Sequence, residues 1–374
     1  MQERRWWLYC QDLEFAREKQ WDMILNENKP NRQAEELAIM TYLGQHQRCE
    51  EAIVRLNLTD YKNGRDALCR ARREFGASNT WESLANNHMA IHSTLEEIDK
   101  TIKNKNTVCI RLVGGIGDQL EASSLILGQI NNSDTDAGLK LTIKACGSKN
   151  EIVNKFLQKS RANKIVENGI NKRMEISYPL YRCWHEKKSK SKLIYEKLYD
   201  IEKREKKKEE QLKILACWRC KTCKENRLSS FSRSIPFQKV MDILGQIRHE
   251  IDSKKIRIID ITNYNKEEIA ILRKNHPNIC LEGENIKDIG YTAKLIAECH
   301  EVVSVDTSLV HIAATSNHKV HTLLPLNADE RWNELMNTQS VYKSNVVIYK
   351  QIHFHDWKAP CRSLLRKITS DQSI

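Results

Sequence analysis

Two short stretches, far apart in the chain, combine residue types that handle anions and protons. Val113-Gly114-Gly115-Ile116-Gly117-Asp118 sets three glycines before a carboxylate, and Val305-Asp306-Thr307-Ser308-Leu309-Val310-His311 groups a carboxylate, two hydroxyls and an imidazole. Glycines permit a tight turn and let a ligand approach backbone closely. A carboxylate at a helix start either caps the helix or takes a proton from an attacking hydroxyl; for Asp118 the residues alone lean toward capping. Asp306, Thr307 and Ser308 offer hydroxyls and backbone donors at a second helix start, with His311 one turn on and on the same side. Taken alone, that block reads as an N-cap followed by a buried histidine. No Lys-Ser/Thr pair follows Gly117, so the first stretch is not a Walker phosphate loop. Cys217, Cys220 and Cys223 form C-x2-C-x2-C, a spacing at which thiolates can share a metal, with Cys183 or His185 as a fourth ligand. With no clear fourth ligand nearby, they read as free or buried thiols, and neither a metal nor another cofactor is expected.

Positioning these residues requires strand-to-helix corners. Each stretch follows a β-branched run (Thr107 to Val113; Glu301 to Val305) and opens a helical pattern (Gln119 to Ile130; Leu309 to Thr315). A helix N-terminus beyond a strand end favours anions such as a pyrophosphate. Around the first corner, Val108 to Val113 and Leu139 to Lys144 read as strands and Ile152 to Leu157 as a helix. Around the second, strands are expected at Lys213 to Cys217, Ile256 to Ile261, Ile279 to Leu281, Val302 to Val305 and Val320 to Leu324. Helical patterns between them run through Phe237, Val240, Met241, Leu244 and Ile247, then Ile269 and Leu272, then Ile289, Ala293 and Ile296. Alternation at this spacing predicts parallel βαβ units twice over. Ahead of them, residues 1–104 read as helical, with two short amphipathic helices joined at Gly44 to Arg48 in the manner of a tetratricopeptide-like hairpin.

With 374 residues the chain can bury two cores and a small third, and its 40% hydrophobic and 29% charged residues are ordinary for a globular protein. No apolar run approaches the roughly 20 residues that span a bilayer. Met1-Gln2-Glu3-Arg4-Arg5-Trp6-Trp7 is charged with no apolar run after it, so no export signal is expected and the 12 cysteines read as reduced thiols of a cytoplasmic protein. The net charge of +12 concentrates between Lys187 and Lys208. Acidic residues interleave there at helical spacing, which favours a solvated helix over a nucleic-acid patch.

Taken in order, the motifs resemble glycosyltransferase family 9, the ADP-heptose heptosyltransferases and their relatives. The matching pieces are Gly114-Gly115-Ile116-Gly117-Asp118, Cys217-Trp218-Arg219 with Arg233-Ser234-Ile235-Pro236-Phe237, and Val303 to Ala313, followed by Leu323-Leu324-Pro325, Arg331-Trp332 and Asp356-Trp357. They span about residues 106–360, and their shared order is harder to obtain by chance than any one motif. The resemblance implies a GT-B fold: an acceptor domain over residues 105–198, a charged linker over 199–210, a nucleotide-sugar domain over 211–345 and a helical tail over 346–374. It implies inverting, metal-independent sugar transfer in which Asp118 is the general base. By the same resemblance Arg219 lies near the donor diphosphate, Thr307 and Ser308 hold that diphosphate with Asp306 and His311 completing the site, and Glu282 contacts the nucleoside. Gly114, Gly115 and Gly117 form the acceptor-side loop.

The resulting expectation is a transferase moving a sugar, heptose among the candidates, from a nucleotide diphosphate to a hydroxyl on a glycan, lipopolysaccharide or protein. A basic surface would suit an acceptor at the inner face of a membrane. No nucleic-acid partner is expected. The alternative is an inactive nucleotide-sugar-binding or scaffold protein whose helical region binds a partner.

Overall fold

The structure, a computed structural model, describes residues 21, 24–42, 45–60, 68, 96–97, 100, 108–112, 116–131, 141–145, 174–177, 194–198, 210–220, 233–286, 288–326, 328, 332, 339–353 and 356–370. The expected helix at 152–157, most of the basic segment 187–208, Gly114, Gly115, Cys183, His185 and Cys223 lie outside them.

Near the N-terminus, α1 (Pro30–Tyr42) and α2 (His46–Arg55) form a hairpin. Ala34, Leu37 and Met40 recur at helical spacing along one face of α1 and pack with Cys49, Ala52 and Ile53 of α2, closed by Trp21, Ile24 and Leu58. Gln33 donates to the Ile24 carbonyl at 3.0 Å. Among the described residues this is one hairpin with its own small core.

Next come β1 (Val108–Leu112), α3 (Ile116–Asn131), β2 (Leu141–Ala145) and β3 (Met174–Ser177). The strands form a parallel three-stranded sheet in the order β2-β1-β3. The sequence pattern finds β1 and β2 but not β3, whose four residues, Met-Glu-Ile-Ser, are too few to show a period. Helix α3 is buried on every side from Gln119 to Gly128, which marks a helix covered on both faces. One cover is its own sheet. The other is the C-terminal half, and a single buried cluster runs from Ile110 and Leu112 through Leu120, Leu125 and Ile126 to Leu309, Val310 and Ala313.

That half is built on a parallel six-stranded sheet. In chain order it holds β5 (Leu212–Cys217), α4 (Phe237–Gln246), α5 (Arg248–Asp252), β6 (Ile256–Asp260), α6 (Lys266–Asn275) and β7 (Cys280–Leu281). Then follow α7 (Ile289–Glu298), β8 (Glu301–Val305), α8 (Ser308–Ala314), β9 (Lys319–Leu324), α9 (Val341–Asn345), β11 (Val346–Lys350) and α10 (Lys358–Ser370). Alternate residues of β5 feed opposite faces. Leu212, Ile214 and Ala216 join Val240, Leu244, Leu272 and Leu364 under α4, α6 and α10. Leu215 and Cys217 join Ile289, Ala293 and Ile296 under α7, on the α8 side. Covering both faces is what a parallel sheet requires.

Two features correct the sequence reading. The segment from residue 346, expected as a helical tail, begins instead with edge strand β11, paired with β9 from Val346↔Val320 to Lys350↔Leu324, and only Lys358–Ser370 is helix. A short strand, β4 (Ile194–Tyr195), pairs in parallel with β10 (Gln339–Ser340). Just beyond it, Glu196 N–H donates to the Ser124 carbonyl and Leu198 N–H to the Thr315 carbonyl, each at 3.0 Å, so residues 194–198 strap α3 to the end of α8.

Candidate functional site

Counting from β5, the six strands lie in the spatial order third, second, first, fourth, fifth, sixth. This is the Rossmann order, and it has one topological switch point, between β5 and β8, where successive connections leave in opposite directions. Open α/β sheets bind their ligands in the crevice outside the carboxyl ends of the strands at such a point. The sequence puts Cys217-Trp218-Arg219-Cys220 at one lip and Asp306-Thr307-Ser308 at the other.

The β5 lip is fixed by buried hydrogen bonds. Trp218 N–H donates to Thr262 Oγ1 at 2.9 Å and its indole Nε1 donates to Asp260 Oδ2 at 3.0 Å. Asp260 also accepts from Tyr264 O–H at 2.9 Å and Thr262 N–H at 2.8 Å. The Arg219 guanidinium turns toward α6: it pairs with both Glu268 oxygens at 2.7 and 3.0 Å and lies over the rings of Tyr264 and Phe237. Glu268 is at the same time the reciprocal partner of Asn265 in the α6 capping box. Arg219 therefore braces this lip, and its charge is already met.

At the β8 lip stands Arg233. It donates to the Asp306 carbonyl at 2.8 Å, stands 3.6 Å from the Asp306 carboxylate and keeps 27% of its side chain exposed. Cys220 donates its thiol to the same carbonyl at 3.3 Å, and its N–H to Ser234 Oγ at 3.0 Å. Thr307 holds the N-cap position in extended conformation, but its side chain makes no cap bond and meets Ser304 Oγ at 3.0 Å instead. Of the three clustered cysteines, Cys217 and Cys220 are described. Burial pushes both Cys217 and Cys220 up to about 12, and each Sγ donates to a backbone carbonyl. Among the described residues no group of three His, Cys, Asp or Glu side chains could hold a metal.

His311 is buried at 3% exposure. Its Nδ1 lies 3.0 Å from the Tyr342 hydroxyl, and the Trp332 ring tilts over it at 5.4 Å. The other edge of the imidazole faces α3: a Cβ built on Gly117 would stand 2.6 Å from His311 Cδ2 and 3.1 Å from Nε2. The two corners read from the sequence thus touch, with Asp118 in the first turn of α3 next to the contact.

Glu282 stands apart, at the end of edge strand β7. Its carboxylate accepts from Asn285 Nδ2 at 2.9 Å and Tyr291 O–H at 3.0 Å, and the Asn285 bond foremost holds it below the ordinary glutamate range. The structure therefore gathers Gly117, Asp306, Thr307, Ser308 and His311, while Arg219 points away and Glu282 lies out along the sheet edge. Sequence reasoning missed Arg233 as a site residue, the Asp260 network and Tyr342. Asp260 had a visible signal, a carboxylate closing the apolar run Ile256 to Ile259; Tyr342 had none, because the chain reaches it from a distant segment.

No family profile matches the chain, and no curated protein matches it. Among solved structures the chain is similar to E. coli heptosyltransferase WaaC with ADP, at 11% identity and a TM-score of 0.45, over 71% of this chain and 99% of that one. It is similar also to E. coli heptosyltransferase WaaC with ADP-2-deoxy-2-fluoro heptose, at 12% identity and a TM-score of 0.40, over the same shares of 71% and 99%. A likeness this loose carries no residue's role across.

Proposed function

We propose that the protein is an inverting, metal-independent glycosyltransferase of GT-B type that moves a sugar from a nucleotide diphosphate to an acceptor hydroxyl. The observation that carries this reading is the meeting of the two corners: the switch-point crevice, with its hydroxyls and Arg233, lies beside a helix that begins with a carboxylate. The diphosphate lies across the crevice between β5 and β8, met by Arg233 and the Ser308 hydroxyl, with the nucleoside toward Glu282. The acceptor oxygen attacks the anomeric carbon from the face opposite the leaving phosphate. One carbon–oxygen bond forms as the other breaks, the acceptor's proton passes to Asp118, and Arg233 offsets the charge that develops on the departing diphosphate. Asp306 holds Arg233 in place and His311 holds the donor helix against the acceptor-side helix.

A dinucleotide oxidoreductase, the other common tenant of this strand order, fits less well. Its first strand should exit through glycines and its second should end in an acid open to the ribose. Here the exit is Cys217-Trp218-Arg219-Cys220 and Asp260 is 0% exposed. Heptose as cargo, and a lipopolysaccharide, glycan or protein acceptor reached at a membrane face, follow from the family resemblance; among the described residues no helix is long and apolar enough to cross a membrane.

The test is release of nucleoside diphosphate from a panel of nucleotide sugars, with and without chelator, for wild type and Asp118→Asn. Turnover that survives chelation and falls at least about 100-fold in Asp118→Asn supports the reading. Unchanged turnover in that variant removes Asp118 as the base, and absence of turnover of every nucleotide sugar by well-folded wild type favours the scaffold alternative.

A further inference from the structure

The Asp260 carboxylate is the most unusual buried group outside the crevice itself. It is 0% exposed, and among the described residues no lysine, arginine or histidine pairs with it. Uncharged donors hold it: Trp218 Nε1, Tyr264 O–H and Thr262 N–H. Burying a carboxylate without a counter-cation is costly, and here burial drives its pKa upward in spite of the opposing bonds from the Thr262 side chain and backbone, Tyr264 and Trp218.

What they fix is the β5 exit. Trp218 is the first residue past the strand, and its carbonyl accepts from Ile235 N–H at 2.9 Å, which pinches together the two ends of the segment between them. Cys220 N–H on Ser234 Oγ adds a second rung. Both arginines of the lip, Arg219 and Arg233, sit just inside this pinch. We propose that Asp260 is a positioning residue for the crevice: by holding Trp218 it sets the mouth of the 218–235 segment and so places Arg233 over Asp306. The inference rests on the nucleotide-binding reading of that crevice.

Asparagine at 260 is the sharp probe. Oδ2 takes the Trp218 and Tyr264 donors and Oδ1 takes Thr262 N–H. An amide turns one of those acceptors into a donor, so one buried N–H is left facing another whichever way it flips. If the amide nitrogen faces position 218, Trp218→Phe removes the opposed donor and the Tyr264 hydroxyl can accept instead. The pair is therefore coupled, and the double variant recovers what Asp260→Asn loses.

The experiment measures binding of ADP, GDP, UDP and CDP to wild type, Asp260→Asn, Trp218→Phe, Tyr264→Phe and the Asp260→Asn/Trp218→Phe double variant. It is run below the melting transition of each, and Cys220 alkylation is read site by site by mass spectrometry. The proposal predicts nucleotide affinity at least tenfold weaker in Asp260→Asn, faster Cys220 alkylation in the same variant without nucleotide, and return of both toward the Trp218→Phe values in the double. Tyr264→Phe, which removes one donor and opposes none, shows a smaller loss. Lowered melting with wild-type affinity and wild-type Cys220 labelling would reduce Asp260 to a fold residue and overturn the proposal. If wild type binds no nucleotide, the crevice reading fails; an unchanged Cys220 rate in Asp260→Asn then also refutes the positioning itself.

Discussion

Replacing Gly117 with alanine tests the contact between the two corners. The added Cβ would stand 2.6 Å from His311 Cδ2, about 1 Å inside the roughly 3.5–4.0 Å at which carbon atoms sit best. The imidazole cannot retreat freely, since the Tyr342 hydroxyl holds Nδ1 at 3.0 Å and the Trp332 ring lies against its face. Overpacking of this kind costs about 1–3 kcal/mol. With the ring held on two sides the cost belongs in the upper half of that range, about 2–3 kcal/mol; alanine returns roughly 0.5–1 kcal/mol through its better helix propensity, so the net loss should be about 1–2.5 kcal/mol. Gly245, also helical, has nothing within 4 Å of its built Cβ, and Gly245→Ala should stabilise by roughly 0.5–1 kcal/mol. Urea and thermal unfolding of both variants, together with Gly117→Ala/His311→Ala, give the comparison. The double variant should be more stable than the sum of its single losses, because removing the ring removes the clash. Gly117→Ala at or above wild-type stability would show that the two helices do not meet as described.

Other predictions follow from the same geometry. Arg233→Ala should weaken nucleotide diphosphate binding by about 10- to 100-fold, the worth of a charge-assisted hydrogen bond, and flatten its salt dependence. Arg219→Ala should cost less affinity and more stability, because its charge is spent on Glu268; calorimetry and melting of the two variants separate these roles. At the opposite end of the sheet, Glu301 accepts from Lys319 at 2.7 Å and meets His321 Nε2 at 2.9 Å. Burial alone would raise its pKa, but those two bonds bring it below its ordinary 4.5. A lowered folded pKa means stability that is fully present above about 4.5 and lost as pH falls through the folded value. The stability gap between wild type and Glu301→Gln should therefore be widest near neutrality and close in acid, and a gap that widens in acid would contradict the pairing.

Much of the C-terminal sheet was legible because parallel strands buried on both faces read as near-continuous apolar runs, as in Ile214-Leu215-Ala216-Cys217. The helices between them carried a clear 3.6-residue period, and the corner at Asp306 followed from both. Strand β11 escaped because its five residues at a sheet edge keep no strict alternation of buried and exposed positions and are followed by a real helix, so the whole tail looked helical. The site was legible as a set of residue types but not as a set of directions. Arg219 and Arg233 flank one segment, and only the structure shows the first gripped by both Glu268 oxygens and the second set against Asp306. Likewise the resemblance set His311 at the edge of the donor site, and only the structure shows its Tyr342 bond and its contact with Gly117 between two helices. Such pairings join residues distant in sequence, and no local period encodes them.

The central claim is that the crevice between β5 and β8 holds a nucleotide diphosphate. Calorimetric titration of ADP, GDP, UDP and CDP into wild type and into Asp306→Ala/Arg233→Ala tests it directly. The account predicts micromolar binding of one nucleotide by wild type and its loss in a double variant that still melts cooperatively. Absence of binding to well-folded wild type, or equal binding by the double variant, would contradict it.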